Sequence, residues 1–390
     1  MNRRHFISQA ATLVAAGAVI PRVLTAADST VPAVPVSGMN YSPAGVFRPV
    51  VKPGEFPIAA VHLDHGHIIA MCNGLVEAGA TVKWVFDPDP EKVRAFRQKF
   101  PSAKEARSLD EILGDAEIRL VAAAAVTSLR GPLGCRVVEG GKDYFTDKAP
   151  VTSFEQLVQA KEAVARTGRK FMVYYGERLH NESAMYALDL IRQGAVGRVI
   201  QVTSLAPHRL SKASRPAWFF ERAKYGGVLC DIGSHQFEQF LAYSGAQDAN
   251  VIQAAVGNFA NPDYPEFEDY GEASLVADNG TSNFIRVDWL TPDGLSNWGD
   301  GRTFILGTKG FIELRKYLDL ARDKTGNHVF IADGQGERQI DVSGKVGYRF
   351  FGELILDCLN RTELAMTQAH AFKAAELALK AQAAARRLTG

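Results

Sequence analysis

The chain has 390 residues, too many for one small core, so two domains are expected. Its 46% hydrophobic and 22% charged residues exclude a disordered protein and a multi-span membrane protein. Forty-four Lys and Arg against 43 Asp and Glu leave a net charge of +1, which argues against nucleic acid or an anionic membrane surface as partner.

The chain opens Asn2-Arg3-Arg4-His5-Phe6-Ile7, followed by an Ala-rich apolar stretch from Ala10 to Ile20 and small residues at Thr25-Ala26-Ala27. This order resembles a twin-arginine export signal and is too short to span a bilayer. Residues 1–27 are therefore expected to be removed by cleavage after Ala27. That implies engagement of the twin-arginine translocation machinery, a periplasmic or other extracytoplasmic location, and no membrane span after cleavage. Residues 28–54, rich in Pro, Val, Ser and Gly, read as an extended arm. The four cysteines lie far apart, with no metal or redox spacing.

From Phe56 to Val61 an apolar run reads as a strand, followed by a polar turn and a helix from Ile68 to Glu77. A second strand, Thr81 to Phe86, ends in Asp87-Pro88-Asp89-Pro90, where proline opens another helix. Strands at 119–124 and 143–146 alternate with helices at 109–113 and 154–166. The alternation predicts a doubly wound parallel sheet over residues 55–170. Beyond Tyr175 the pattern changes. A helix at 184–193, a strand at 198–204, a helix from Gly233 and a hairpin of 273–277 with 282–287 around Asp278-Asn279-Gly280 predict an α/β domain over 171–390 with a largely antiparallel open sheet.

The first strand–helix turn reads His62-Leu63-Asp64-His65-Gly66-His67, without the glycines that let a backbone approach a diphosphate. Gly66 and the helix N-terminus still offer an anion site, and Asp87 stands where the acidic ribose-binding residue of a dinucleotide site belongs. The same turn suggests a second reading, in which His62, Asp64, His65 and His67 ligate a metal ion; plain loop histidines are the third. Two further loops carry chemistry: Asp147-Lys148-Ala149-Pro150 after a strand, and Gly226 to His235, in which Asp231 and His235 are four apart. Each of these residues could also be a solvated lysine, a helix cap or a buried histidine.

Taken together, the turn before Asp87-Pro88-Asp89-Pro90, the lysine motif and the segment Gly227 to His235 resemble the Gfo/Idh/MocA oxidoreductases from about Phe56 to the C-terminus. The resemblance implies a Rossmann domain followed by a substrate domain and an NAD(P)-dependent enzyme acting on a sugar, glycoside or cyclitol hydroxyl. Lys148 and His235 would handle the hydroxyl proton, and Asp231 would orient the sugar. His62, Asp64, His65, Gly66, His67, Asp87, Thr127 and Lys148 would face the cofactor, NAD more than NADP. Two departures stand out: Ala149 separates Lys148 from Pro150, and Thr127-Ser128-Leu129-Arg130 replaces the family's asparagine and histidine. Arg178, His180, His208, Arg209 and Trp218, with Glu177 and Arg215 nearby, suit a polyhydroxylated or anionic substrate. Export implies a tightly held NAD that is regenerated within one cycle, and the resemblance implies a homo-oligomer. The alternatives are a metal-dependent lyase or hydrolase on the same scaffold and a non-catalytic carbohydrate-binding protein.

Overall fold

The computed structural model describes residues 49–322 and 324–389, all within one compact unit. The export signal and most of the arm lie outside the described residues. Among the described residues no helix is long and apolar enough to cross a membrane.

Six strands, β1 (Pro57–Val61), β2 (Thr81–Phe86), β3 (Lys104–Glu105), β4 (Leu120–Ala123), β5 (Asp143–Asp147) and β6 (Phe171–Tyr174), form a parallel sheet in the order β3-β2-β1-β4-β5-β6. Between them run α1 (His67–Glu77), α2 (Pro90–Lys99), α3 (Leu109–Gly114), α4 (Thr127–Glu139) and α5 (Phe154–Thr167). This is the Rossmann order, with its switch point between β1 and β4. Helices on both faces explain why β4, β5 and β6 are buried at every position. Local chemistry sets the helix starts. Asp89, Ser108 and Ser153 each accept a hydrogen bond from a first-turn amide of α2, α3 and α5, and Gly168 closes α5 in the left-handed region.

Past β6 come α6 (Gly176–Leu179), α7 (Glu182–Arg192), β7 (Val199–Pro207), α8 (Arg222–Tyr225), α9 (Val228–Asp231) and α10 (Gly233–Ser244). The strands β8 (Ala249–Gly257), β9 (Tyr270–Ala277), β10 (Ser282–Asp288), β11 (Arg302–Gly307), β12 (Gly310–Arg315), β13 (His328–Asp333) and β14 (Gly336–Asp341) follow. The chain closes with α11 (Arg349–Asn360), α12 (Gln368–Ala384) and β15 (Arg386–Arg387). These strands make a nine-stranded sheet, β14-β13-β12-β11-β7-β10-β9-β8-β15. The expected hairpin is β9–β10, with Ser282 opposite Val276 and Gly280 at φ +81 in its turn. The sheet is mixed rather than purely antiparallel, because β10 lies parallel to β7.

The structure moves the expected domain boundary at residue 170, since β6 is an edge strand of the parallel sheet. The C-terminal segment also returns to that sheet. Gln368 accepts from the Phe171 amide at 2.8 Å and donates to its carbonyl at 2.7 Å, completing the open edge of β6. Arg361 grips both carboxylate oxygens of Asp143 at 2.7 and 2.5 Å, and Lys170 Nζ donates to the Thr362 carbonyl. On the sheet's face, Phe351 of α11 packs over Gly74 of α1 so closely that a Cβ there would stand 2.4 Å from the ring.

Candidate active site

The carboxyl ends of β1, β4 and β5 meet at the switch point, where open α/β sheets bind ligands. Their loops are laced together by backbone bonds: His62 N to Phe86 O, Ala124 N to His62 O and His65 N to Ala124 O. His62 takes a positive φ of 49, the conformation glycine would supply in a phosphate-binding turn, and its ring meets the edge of Phe86. Asp64 turns away from His62, accepting from the Val126 amide at 3.3 Å and from Lys92 Nζ at 2.6 Å.

The four-residue metal set expected from the turn is therefore split, because His62 and Asp64 are engaged elsewhere. Only His65 and His67 converge, and they converge on Asp147. His67 Nδ1 lies 2.9 Å from Asp147 Oδ1, and His65 Nδ1 lies 3.2 Å from Oδ2. Burial would raise the Asp147 pKa, but His67, Arg130 and His65 hold it well below the usual carboxylate range. Burial pushes His65 down to about 4.

The residues fit a dinucleotide at the start of α1. No first-turn acid occupies that terminus, where the His65 ring lies 3.3 Å from the His67 amide, and the space above Gly66 is open, with no atom within 4 Å of where a Cβ would stand. The Asp64 charge that would oppose a diphosphate is offset by Lys92. Asp87 lies at the end of β2 with its oxygens accepting from the Leu63 and Asp89 amides at 2.6 and 2.8 Å, and Lys92 Nζ stands 3.9 Å away. Thr127 is buried at the start of α4.

Lys148 follows β5 and its peptide bond to Ala149 is cis. Its Nζ donates to Asp231 Oδ1 at 2.5 Å, and both side chains are nearly inaccessible. Burial would raise the Asp231 pKa, but Lys148 overcomes it by charge and hydrogen bond and holds the acid below its ordinary value. The second Asp231 oxygen and Nδ1 of His235 are buried without hydrogen-bond partners. Burial pushes His235 down to about 3, so it is neutral at pH 7; Glu177 opposes that shift while Lys148, His67 and His208 add to it. Lys148, Asp231 and His235 thus share one basin with the histidines of the first turn.

The expected substrate residues divide. His208, pushed down to about 4 by burial, senses Lys148 and Asp231; its Nε2 is 3.6 Å from Glu177 and its ring packs on Trp289 and Trp298. Arg215 feels Asp231 and is stacked on the rings of Phe219 and Trp289. His180 bonds the Tyr174 hydroxyl at 2.7 Å and packs between Tyr348 and Phe351. Arg178 and Arg209 are committed to protein partners instead. Arg178 forks onto buried Glu238, and the terminal nitrogen of Arg209 donates to the carbonyls of Pro292, Leu295 and Asn297. Trp218 packs against Phe219.

Sequence reasoning missed three parts of the site. Arg130, fully buried, donates to the Ala125 carbonyl at 2.7 Å and to the Lys148 carbonyl, and stands 3.1 Å from Asp147, clamping the β4 and β5 loops. Lys316 donates to Glu177 and Gln239 at 2.8 and 2.9 Å, and Gln236 also reaches Glu177. Trp298 sits on the loop that Arg209 holds. An arginine in place of the expected asparagine and histidine after β4 was the one available signal.

Two family descriptions match the chain: "Oxidoreductase family, NAD-binding Rossmann fold" over residues 64–175 and "GFO/IDH/MocA C-terminal domain" over 185–313. A 1.25 Å crystal structure of an oxidoreductase-class protein from Erwinia carotovora atroseptica SCRI1043 is 46% identical, with a TM-score of 0.83, covering 86% of this chain and 100% of that one. The scyllo-inositol 2-dehydrogenase (NAD(+)) of Bacillus subtilis (strain 168) is 25% identical over 239 residues, 60% of this chain and 66% of that protein. An uncharacterized oxidoreductase of Streptococcus pneumoniae serotype 4 is 25% identical over 240 residues, 60% of this chain. The chain spans 62% of that relative's length.

Proposed function

Since this chain belongs to the GFO/IDH/MocA oxidoreductase family, we propose that it moves a hydride between a nicotinamide cofactor and a secondary hydroxyl carbon of a sugar, glycoside or cyclitol. The buried Lys148–Asp231 pair, sharing its basin with the unpartnered Nδ1 of neutral His235, carries this reading. NAD, when bound, supplies the hydride acceptor. His65, Gly66 and His67 at the start of α1, Thr127 at the start of α4 and Asp87 at the end of β2 are the residues that would hold it.

The chain's own residues handle the proton. His235 accepts the hydroxyl proton at Nδ1, and the Lys148 ammonium, aimed by Asp231, donates a hydrogen bond to the same oxygen as charge grows on it. In the reverse direction His235 returns the proton. His208, Arg215 and Glu177, with the Trp298 ring beside them, supply the mix of polar and aromatic contacts that a polyhydroxylated ring requires. The similarity to a scyllo-inositol 2-dehydrogenase supports the same substrate class.

The export signal extends the reading. In an extracytoplasmic compartment the cofactor stays bound and is regenerated by a redox-neutral cycle on the substrate. The exposed apolar side chains Phe304, Leu306 and Phe311 on β11 and β12 mark the face through which copies of the chain would associate.

Mass spectrometry of the ligand released from natively purified protein tests the reading, together with absorbance during incubation with a panel of sugars and cyclitols. Stoichiometric NAD(H) whose redox state changes with one polyol class is the expected result. A protein that neither carries nor binds the dinucleotide, and leaves every polyol unchanged, overturns it.

A further inference from the structure

We propose that His65, His67 and Asp147 hold a divalent first-row transition-metal ion at the carboxyl edge of the parallel sheet, with its remaining coordination positions open to the crevice. One ligand atom from each of the three side chains lies within 4.8 Å of the other two. Ligands around a tetrahedral ion with bonds of about 2.0–2.1 Å stand roughly 3.3 Å apart. The His67 Nδ1 to Asp147 Oδ1 and His65 Nδ1 to Asp147 Oδ2 separations, 2.9 and 3.2 Å, are close to that edge length.

A buried carboxylate oxygen is the second observation that points to the ion. His65 Nδ1 lies 3.3 Å from the His67 amide, a long contact that a metal ion on the same nitrogen would replace. Asp147 Oδ2 is fully buried and has no hydrogen-bond partner, although His65 Nδ1 is 3.2 Å and Arg130 3.1 Å away.

The surroundings are those of a held ligand set. Asp147 is fixed from behind by the Lys148 amide at 2.8 Å and by Arg130, the outer contacts that orient a metal-binding carboxylate. Its side chain is 0% exposed, while those of His65 and His67 are 20% and 37% exposed, so the cluster is closed on the carboxylate side and open on the imidazole side. Two imidazoles and one carboxylate select zinc, iron, nickel or copper over magnesium or calcium. The site shares His65 and His67 with the turn proposed to hold the cofactor, and its test reads metal binding alone.

The test is calorimetric titration of the chelator-treated full chain with Zn²⁺, and the visible spectrum of the same protein with Co²⁺. Variants His67→Gln and His62→Ala are compared with it. One Zn²⁺ per chain, cobalt ligand-field bands, loss of both in His67→Gln and their retention in His62→Ala are expected. Absence of stoichiometric Zn²⁺ binding in the unmodified chain overturns the proposal, and so does binding that His67→Gln leaves intact while its melting temperature stays at the parent value. The cobalt spectrum needs no variant, so a His67→Gln protein that fails to fold still leaves a decisive result: no ligand-field bands, no site.

Discussion

Lys148 Nζ and Asp231 Oδ1 meet at 2.5 Å across 83 residues of sequence, joining the parallel sheet of the first domain to the helices that carry the second. The pair is nearly inaccessible, so either partner left alone is a buried, uncompensated charge. Replacing Lys148 with Met therefore acts twice. Turnover should fall about 100-fold or more through loss of the hydrogen bond to the oxygen on which charge grows. Stability should fall by about 3–5 kcal/mol as Asp231 is left unpaired. Denaturant melts of Lys148→Met and the double variant Lys148→Met/Asp231→Asn separate the two, because the second restores much of the stability and none of the turnover.

Acid should weaken the fold in a defined window. Burial lowers His208 to about 4 and His235 to about 3, whereas in the unfolded chain both titrate near their ordinary value of about 6.5. Below about pH 6.5 the unfolded chain takes up protons that the folded chain refuses, so stability drops as pH falls, by up to about 1.4 kcal/mol per pH unit for each group. Asp231, lowered in the folded state, adds a loss at still lower pH, as it protonates through its folded value. Denaturant unfolding at a series of pH values measures the slope, and His235→Gln should flatten it; an unchanged slope in that variant would remove His235 from the account.

Lys92 is expected to govern cofactor affinity without touching the chemistry. Its ion pair with Asp64 at 2.6 Å offsets the negative charge nearest the α1 terminus. Lys92→Ala should weaken NAD(H) binding about tenfold, near 1.4 kcal/mol, and adding Asp64→Gly should recover it. Fluorescence titration with NADH reads both; equal affinity in parent and Lys92→Ala would refute the role.

Arg209 braces the loop that bears Trp298, since one guanidinium nitrogen lies within hydrogen-bond distance of the Pro292, Asp293, Leu295 and Asn297 carbonyls. Arg209→Ala should open residues 292–298 to limited proteolysis and raise KM about tenfold while leaving kcat near the parent value. A resistant loop with unchanged KM would count against it.

Gly227, at φ +94, starts the turn into α9 that carries Asp231, and a Cβ there would stand 2.3 Å from Gln382 Oε1. Gly227→Ala should cost about 1–3 kcal/mol and, by pushing Gln382 off the Leu229 amide it caps at 3.0 Å, reduce turnover as well. Melting temperature together with kcat is the measurement, and a variant as stable as the parent would contradict it.

Much of the fold was legible because its signals are local. Fully buried strands such as Leu120–Ala123 read as unbroken apolar runs, and proline in Asp87-Pro88-Asp89-Pro90 announced the start of α2. The allegiance of β6 was hidden, since an apolar run does not say which sheet it joins, and the parallel pairing of β7 with β10 depends on chain reversal that hairpin signals do not encode. In the candidate site, the motifs that carry Lys148, Asp231 and His235 were legible in the chain, and the structure brings Lys148 and Asp231 into contact. The convergence of His65 and His67 on Asp147, 80 residues further on, was not legible, because side-chain direction at a strand end is set by its neighbours in space. The same limit turned Arg178 and Arg209 into substrate candidates when their charges are satisfied by Glu238 and by loop carbonyls.

The return of the C-terminal segment to the parallel sheet also governs how the molecule can be made. Until Gln368 has left the ribosome, Phe171 offers an unclaimed amide and carbonyl to any passing strand, and α1 has no Phe351 to close over Gly74. Phe351 and Gln368, both in the last tenth or so of the 390-residue sequence, complete a sheet laid down by residues 57–174, so the first domain is closed only near the end of translation.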